Sequence, residues 1–345
     1  MSALPNPICY ICQKEITSEN DTREHIIPDS IGGKLKGKGI LCLSCNNGAA
    51  SDIDREIASM LSYFYELVRA AQETPPSDLV LTGRDINGNL FTFYGQDLVP
   101  QATVTLKIGQ KEFIFRDQEA KVLKGVKNRI SQFSAKHNNL KAFDLTKDLK
   151  LVPTPHPVLY FTDSTGKTRS GGLPFFRSAL KTAVNYYLKE GGDTKEIEIA
   201  KRLVRDGGEN VLWKARFYYP ELLPHIVATD EVSHLLHLIG DPKTGILICY
   251  IEMFNCHNVL ILLSDNYKGK PMEATYCYDL VKKQVIEKKP VLGFNFRSSV
   301  IQYFDDNIDS KQKRQEKFDQ TESKVFGMLM KKGFTVGSVG KRPTD

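Results

Sequence analysis

Two Cys-x-x-Cys pairs, Cys9/Cys12 and Cys42/Cys45, constrain this chain more than anything else in it. Each pair offers two thiolates from one tight turn, and four thiolates close a tetrahedron around zinc with no open position. Such an ion holds a small fold together and takes no part in a reaction. The bland alternative, four unrelated buried thiols, leaves the repeated spacing without a reason. Between the pairs lie 29 residues, 13 to 41, more than a simple zinc ribbon uses. There is room there for something besides the metal.

The intervening residues read Glu24-His25-Ile26-Ile27-Pro28, then Ile31-Gly32-Gly33: the end of a strand followed by a glycine turn. Ile40-Leu41 reads as a short returning strand, and a helix opens after Cys45, with Asn46 directly behind the last cysteine. With E-H-I-I-P, G-G and L-C-x-x-C-N in that order, residues 8–56 resemble the HNH endonucleases. Many members of that family pin their ββα-metal fold with a four-cysteine zinc. The resemblance implies a treble-clef-like, zinc-held head that hydrolyses phosphodiester bonds.

That chemistry needs a deprotonated water, a cation near the scissile phosphate, and relief of charge on the departing oxygen. A histidine with a pKa near neutrality takes a proton at physiological pH. His25 stands where the family has its base, so the resemblance makes it the candidate. Glu24 and Asn46 offer hard oxygen ligands suited to Mg²⁺ or Mn²⁺, at the positions where the family holds its catalytic ion. One departure stands out. Many members carry an asparagine in the loop before the second strand, orienting the base. Here that loop reads Lys34-Leu35-Lys36-Gly37-Lys38-Gly39, so His25 lacks that support. Lys34, Lys36 and Lys38 are candidate phosphate contacts; a merely solvated loop is the equal alternative.

Composition narrows the rest. Apolar residues make up 41% and charged residues 26% of 345, the balance of a folded soluble protein. No run is long and apolar enough for a membrane span, and the start, MSALPNP, lacks the features of a signal peptide. Seven cysteines, four of them in the pairs, fit a reducing compartment and a cytoplasmic protein. Cys249, Cys256 and Cys277 sit in apolar, strand-like sequence and read as buried thiols. The net charge of +6 permits a nucleic-acid partner without requiring one. Residues 1–60 carry six Lys/Arg against eight Asp/Glu, so the head itself is not basic.

Beyond the head, apolar residues at helical spacing predict a helix from Asp52 to about Gln72, closed by Thr74-Pro75-Pro76. Asp54 lies in its first turns and reads as an ordinary helix N-terminal charge. Hairpins are predicted around Asn87-Gly88 and Gly109-Gln110, and a basic helix from about Gln118 to His137. Residues 163–168 resemble a phosphate loop only until Phe161 is found where the first glycine belongs. Helices are predicted at Phe175 to about Leu188 and Lys195 to Val204. Strands follow at Val211–Tyr219, Val232–Ile239, Ile246–Phe254 and Val259–Ser264. His234 and His237, three apart in a strand, face opposite ways and read as structural. A helix opening at Lys311 carries Phe318, Val325, Phe326 and Leu329 for packing.

The whole reads as an α+β protein: an HNH module at 1–62, a larger mixed domain at 63–306, and a polar helical tail at 307–345. The larger domain is read as recognising a target, sensing a signal or binding a partner. The leading function is a metal-dependent DNA endonuclease acting on double strands, with structural zinc and catalytic Mg²⁺ or Mn²⁺. By analogy its setting is bacterial anti-phage defence or a mobile element, with a regulatory protein partner or an oligomer. The rival is a zinc-held nucleic-acid-binding or scaffolding module without catalysis, which has no need of Glu24, His25 and Asn46 together.

Overall fold

The structure, a computed structural model, describes residues 7–74, 80–84, 90–94, 97–108, 111–118, 172–294, 296–306 and 310–332. It divides into two compact units: residues 1–73 with 168–328, and residues 74–167 with 329–345. The head falls in one unit with most of the body.

The head opens with β1 (Glu24–His25), paired antiparallel with β2 (Lys36–Gly37), Glu24 opposite Gly37 and His25 opposite Lys36. The returning strand is therefore not Ile40-Leu41. Those two residues are buried, which explains their apolar character, but Gly39 at φ +67° turns the chain before them. The double glycine has two separate reasons. Gly32, at φ +92°, caps a 3-10 turn over Asp29–Ile31 in the left-handed region. At Gly33 a Cβ would lie 1.8 Å from the carbonyl oxygen of Ile27. One helical turn, Leu43–Cys45, then runs through a π turn, Asn46–Ala50, into α1 (Ser51–Ala71). Ile57, Leu61, Phe64, Leu67 and Val68 form its buried stripe.

The second unit contains a four-stranded antiparallel sheet in sequence order: β3 (Val80–Arg84), β4 (Leu90–Tyr94), β5 (Asp97–Ile108) and β6 (Lys111–Gln118). These are the two predicted hairpins. Their turns, the basic helix near 118–137 and the 163–168 loop lie outside the described residues.

The body is built on α2 (Leu173–Lys189), α3 (Glu198–Asp206) and a six-stranded antiparallel sheet. Its strands are β7 (Ala215–Phe217), β8 (Ser233–Asp241), β9 (Ile246–Met253), β10 (His257–Ser264), β11 (Met272–Asp279) and β12 (Gln284–Val285). The order is β12-β11-β8-β9-β10-β7. Every residue of β9 is buried, so its apolar run is that of a strand covered on both faces. Two helices, α4 (Arg297–Asp305) and α5 (Lys311–Lys331), follow. The strand expected from Val211 begins late: Glu209–Trp213 is a 3-10 turn, entered through Gly207 and Gly208 at φ +71° and +96°. Phe318 of α5 sets its ring 5.5 Å from that of Phe64, and Phe64 meets Phe254 edge-on at 5.2 Å.

Helix α2 packs against α1 and β2 on the head side and against β7 to β10. Head and sheet are also tied directly. His234 of β8 hydrogen-bonds the carbonyl of Ile31 at 2.7 Å, and the Gln72 amide donates to the carbonyl of Leu280 at 2.8 Å. The Phe254 N–H donates to the other nitrogen of His234 at 3.3 Å, which makes it a neutral structural histidine, pushed down to about 4 by burial.

Candidate active site

The four predicted zinc ligands converge. The sulfur atoms of Cys9, Cys12, Cys42 and Cys45 all lie within 4.8 Å of one another, and those of Cys12 and Cys42 are 3.6 Å apart. A tetrahedron with Zn–S bonds of about 2.3 Å has edges of about 3.8 Å, so the cluster is compatible with zinc. The turns that build it are tight: the N–H of Cys9 donates to the carbonyl of Lys14 and that of Gln13 to Cys9. Burial pushes the Cys12 thiol up, but the Lys14 backbone and the neighbouring thiols outweigh it and bring it down to about 7. Burial instead pushes the Cys9 and Cys45 thiols up, so their deprotonation goes with the binding of the metal.

Beside the cluster, Glu24, His25, Asp29, Asn46, Asp54 and Arg55 line a cleft of about 490 Å³. The three residues picked from the sequence are thus brought together, and Asp54 joins them. Asn46 donates its amide to the hydroxyl of Thr22 at 3.0 Å, which leaves its carbonyl oxygen as the atom for a cation. His25 is partly buried, its Nε2 3.9 Å from Asp29, beyond hydrogen-bond range. Burial, then Lys36, hold the imidazole below its ordinary value in spite of Asp29. The lysine loop does not line this cleft. Lys34 bonds Asp29 at 2.8 Å, while Lys36 and Lys38 are exposed.

The residues sequence reasoning missed are Lys181 and Asn185, on α2. The ammonium of Lys181, fully buried, bonds Glu24 Oε1 and donates to Asp54 Oδ2 at 3.0 Å. Asn185 donates to the same Glu24 oxygen at 3.0 Å and accepts from the hydroxyl of Tyr10 at 2.8 Å. Asp54 is therefore no ordinary helix-end charge. Its Oδ1 is buried without a hydrogen-bond partner among the described residues. Burial raises both carboxyls above their usual range, and Lys181 offsets this only in part. Burial alone would lower Lys181, but Asp54 and then Glu24 outweigh it and raise its pKa. Two carboxylates share one ammonium, so the ammonium gains more than either acid.

Residues 9–62 match the HNH endonuclease family. The match suggests nuclease activity and covers the head alone. No curated protein and no solved structure matches the chain significantly. The orphaned Asp54 oxygen beside Glu24 and Asn46 gives the HNH module an oxygen-donor set of the kind Mg²⁺ or Mn²⁺ takes. No helix among the described residues is long and apolar enough to cross a membrane.

Proposed function

We propose that the HNH module is a DNA endonuclease and that the four cysteines hold structural zinc. The observation that carries this reading is the single cleft lined by Glu24, His25, Asn46 and Asp54 beside the four-thiol cluster. His25 takes the proton from the attacking water. With its pKa held below 6.5, the ring is neutral at physiological pH and has a lone pair to offer. Oxygens of Glu24, Asp54 and Asn46 hold Mg²⁺ or Mn²⁺, which supplies charge relief at the phosphate and the departing oxygen. Lys36 and Lys38 contact the backbone of double-stranded DNA, and Lys34 does so while shared with Asp29. The wider setting, bacterial anti-phage defence or a mobile element with a regulatory partner or oligomer, rests on analogy with proteins of this build.

Plasmid nicking across a metal titration tests the assignment. General-base assistance contributes about 10²–10⁴-fold, so His25→Ala loses cutting by that factor and keeps its zinc. Asn46→Ala loses activity through its ion, and excess Mn²⁺ restores part of it. If His25→Ala nicks as fast as the parent, the zinc-held binding module becomes the better account.

A further inference from the structure

The buried trio of Glu24, Lys181 and Asp54 has a charge deficit that its hydrogen bonds make visible. Among the described residues the donors to Glu24 reach one oxygen: Lys181 and Asn185 both end on Oε1. Lys181 reaches Asp54 through Oδ2 only, and Asp54 Oδ1, in a cleft-lining residue, is buried with no partner among the described residues. Two carboxylates against one ammonium leave one negative charge uncompensated. A buried acceptor without a donor is costly, and a cation bound against it would satisfy it. The ammonium already present repels that cation through a low-dielectric interior. Lys181 stands 157 positions from Glu24 in the chain, on a helix outside the matched segment.

We propose that Lys181 is a placeholder for the divalent ion. It keeps Glu24 and Asp54 together as a cation-binding pair while the cleft is empty, and its charge weakens the hold of that pair on the metal. This rests on the nuclease reading, in which Glu24 and Asp54 face a divalent ion. Lys181 is thereby a positioning residue with a definite sign: its removal tightens metal binding while destabilising the metal-free protein. A lysine that merely fills space has the second effect without the first.

The test uses the full-length parent and Lys181→Met, with zinc retained, in buffers with and without added Mn²⁺. Thermal unfolding and electron paramagnetic resonance of bound Mn²⁺ are the readouts. Lys181→Met is expected to unfold below the parent without Mn²⁺ and to rise further on its addition. Its Kd for Mn²⁺ should be tighter by on the order of tenfold or more. An equal or smaller rise, or a weaker Kd, overturns the proposal. Should Lys181→Met fail to fold, Lys181→Gln, which keeps a donor without the charge, carries the same expectation. If neither variant folds with or without Mn²⁺, Lys181 is a structural residue and the proposal is wrong. A parent silent to Mn²⁺ removes the ion itself and overturns both readings. A responsive parent with a variant that responds no more removes only the placeholder.

Discussion

The same unit of this protein holds two buried carboxylate clusters that were settled in opposite ways. On the sheet, Glu252 of β9 accepts from His225 at 3.1 Å and Asn255 at 2.8 Å on one oxygen, and from the Tyr250 hydroxyl at 2.7 Å on the other. Asn255 continues to Ser233, and Ser233 to Glu231, whose second oxygen takes Lys288 at 2.7 Å. All four carboxylate oxygens are used. Burial pushes Glu252 up, yet His225, Tyr250 and Asn255 outweigh it and hold it below the usual range. In the head, Glu24 and Asp54 divide one ammonium, stay above their usual range, and leave Oδ1 of Asp54 without a partner among the described residues. A satisfied cluster is finished as structure; an unsatisfied one is open to a ligand.

The largest break in the comparison comes through the thiols. The two paired strands of the head are two residues each, whereas β8, β9 and β10 run eight or nine. Structural zinc is worth about 10–16 kcal/mol, as much as a domain's whole stability. Cys9→Ser or Cys42→Ser should therefore melt the head while the central strands of the sheet persist. Amide hydrogen exchange reads this directly: protection lost over residues 9–62 and kept in β8 to β10. Elemental analysis should find one zinc per parent chain, and a soluble parent without zinc would remove the frame.

Glu252→Ala sharpens the contrast from the other side. Removing one partner of a buried charge pair costs on the order of 3–5 kcal/mol, here by stranding His225. Urea denaturation should show that loss, while the response to Mn²⁺ stays that of the parent. If Glu252→Ala alters Mn²⁺ binding as strongly as Lys181→Met, the two clusters do not differ in kind.

Much of the contrast is hidden from the sequence, and the reason is distance along the chain. The thiol pairs, Glu24-His25 and Asn46 declare themselves because their spacing is local. Lys181 and Asn185 stand one helical turn apart among Phe175, Ala179, Leu180, Ala183 and Val184. A lysine and an asparagine on the apolar face of a helix are a legible anomaly, but their partners are not legible. Asp54 looks like a helix-end charge for the same reason. On the body, β9 and β10 are plain because their apolar runs are nearly unbroken. Strand β11 passes unnoticed: Glu273, Thr275 and Tyr276 break its apolar character, and most of the strand is only half-buried or exposed. The early end assigned to Val211–Tyr219 fails because Gly207-Gly208 resets the backbone, an effect hydropathy does not record.

The smallest effect concerns pH, and there the two clusters should respond differently. Burial would lower the His225 pKa, but Glu252, by hydrogen bond and by charge, outweighs it and raises the ring above 6.5, against opposition from Lys288. Its Nδ1 faces the carbonyl of Ile226 at 3.3 Å, so both nitrogens meet acceptors, an arrangement that favours the protonated ring. A base raised on folding contributes fully below its unfolded value and loses that contribution as pH climbs through the folded one. Glu252, lowered on folding, contributes above 4.5 and is lost as pH falls through its folded value. The pair is therefore worth most between 4.5 and 6.5. For Glu24 and Asp54, both raised, the native state holds the extra protons, and stability declines as pH rises from their unfolded values through their folded ones. His225→Gln keeps a donor for Glu252 and removes the charge. Near about pH 5.5 it should cost on the order of 1 kcal/mol, the charge contribution to a bond whose donor is kept. Near about pH 8.5 the gap from the parent should have narrowed. Urea midpoints at the two values decide it: a gap that is constant or widens toward alkaline pH means that the ring is neutral and that Glu252 is held by Tyr250 and Asn255 alone.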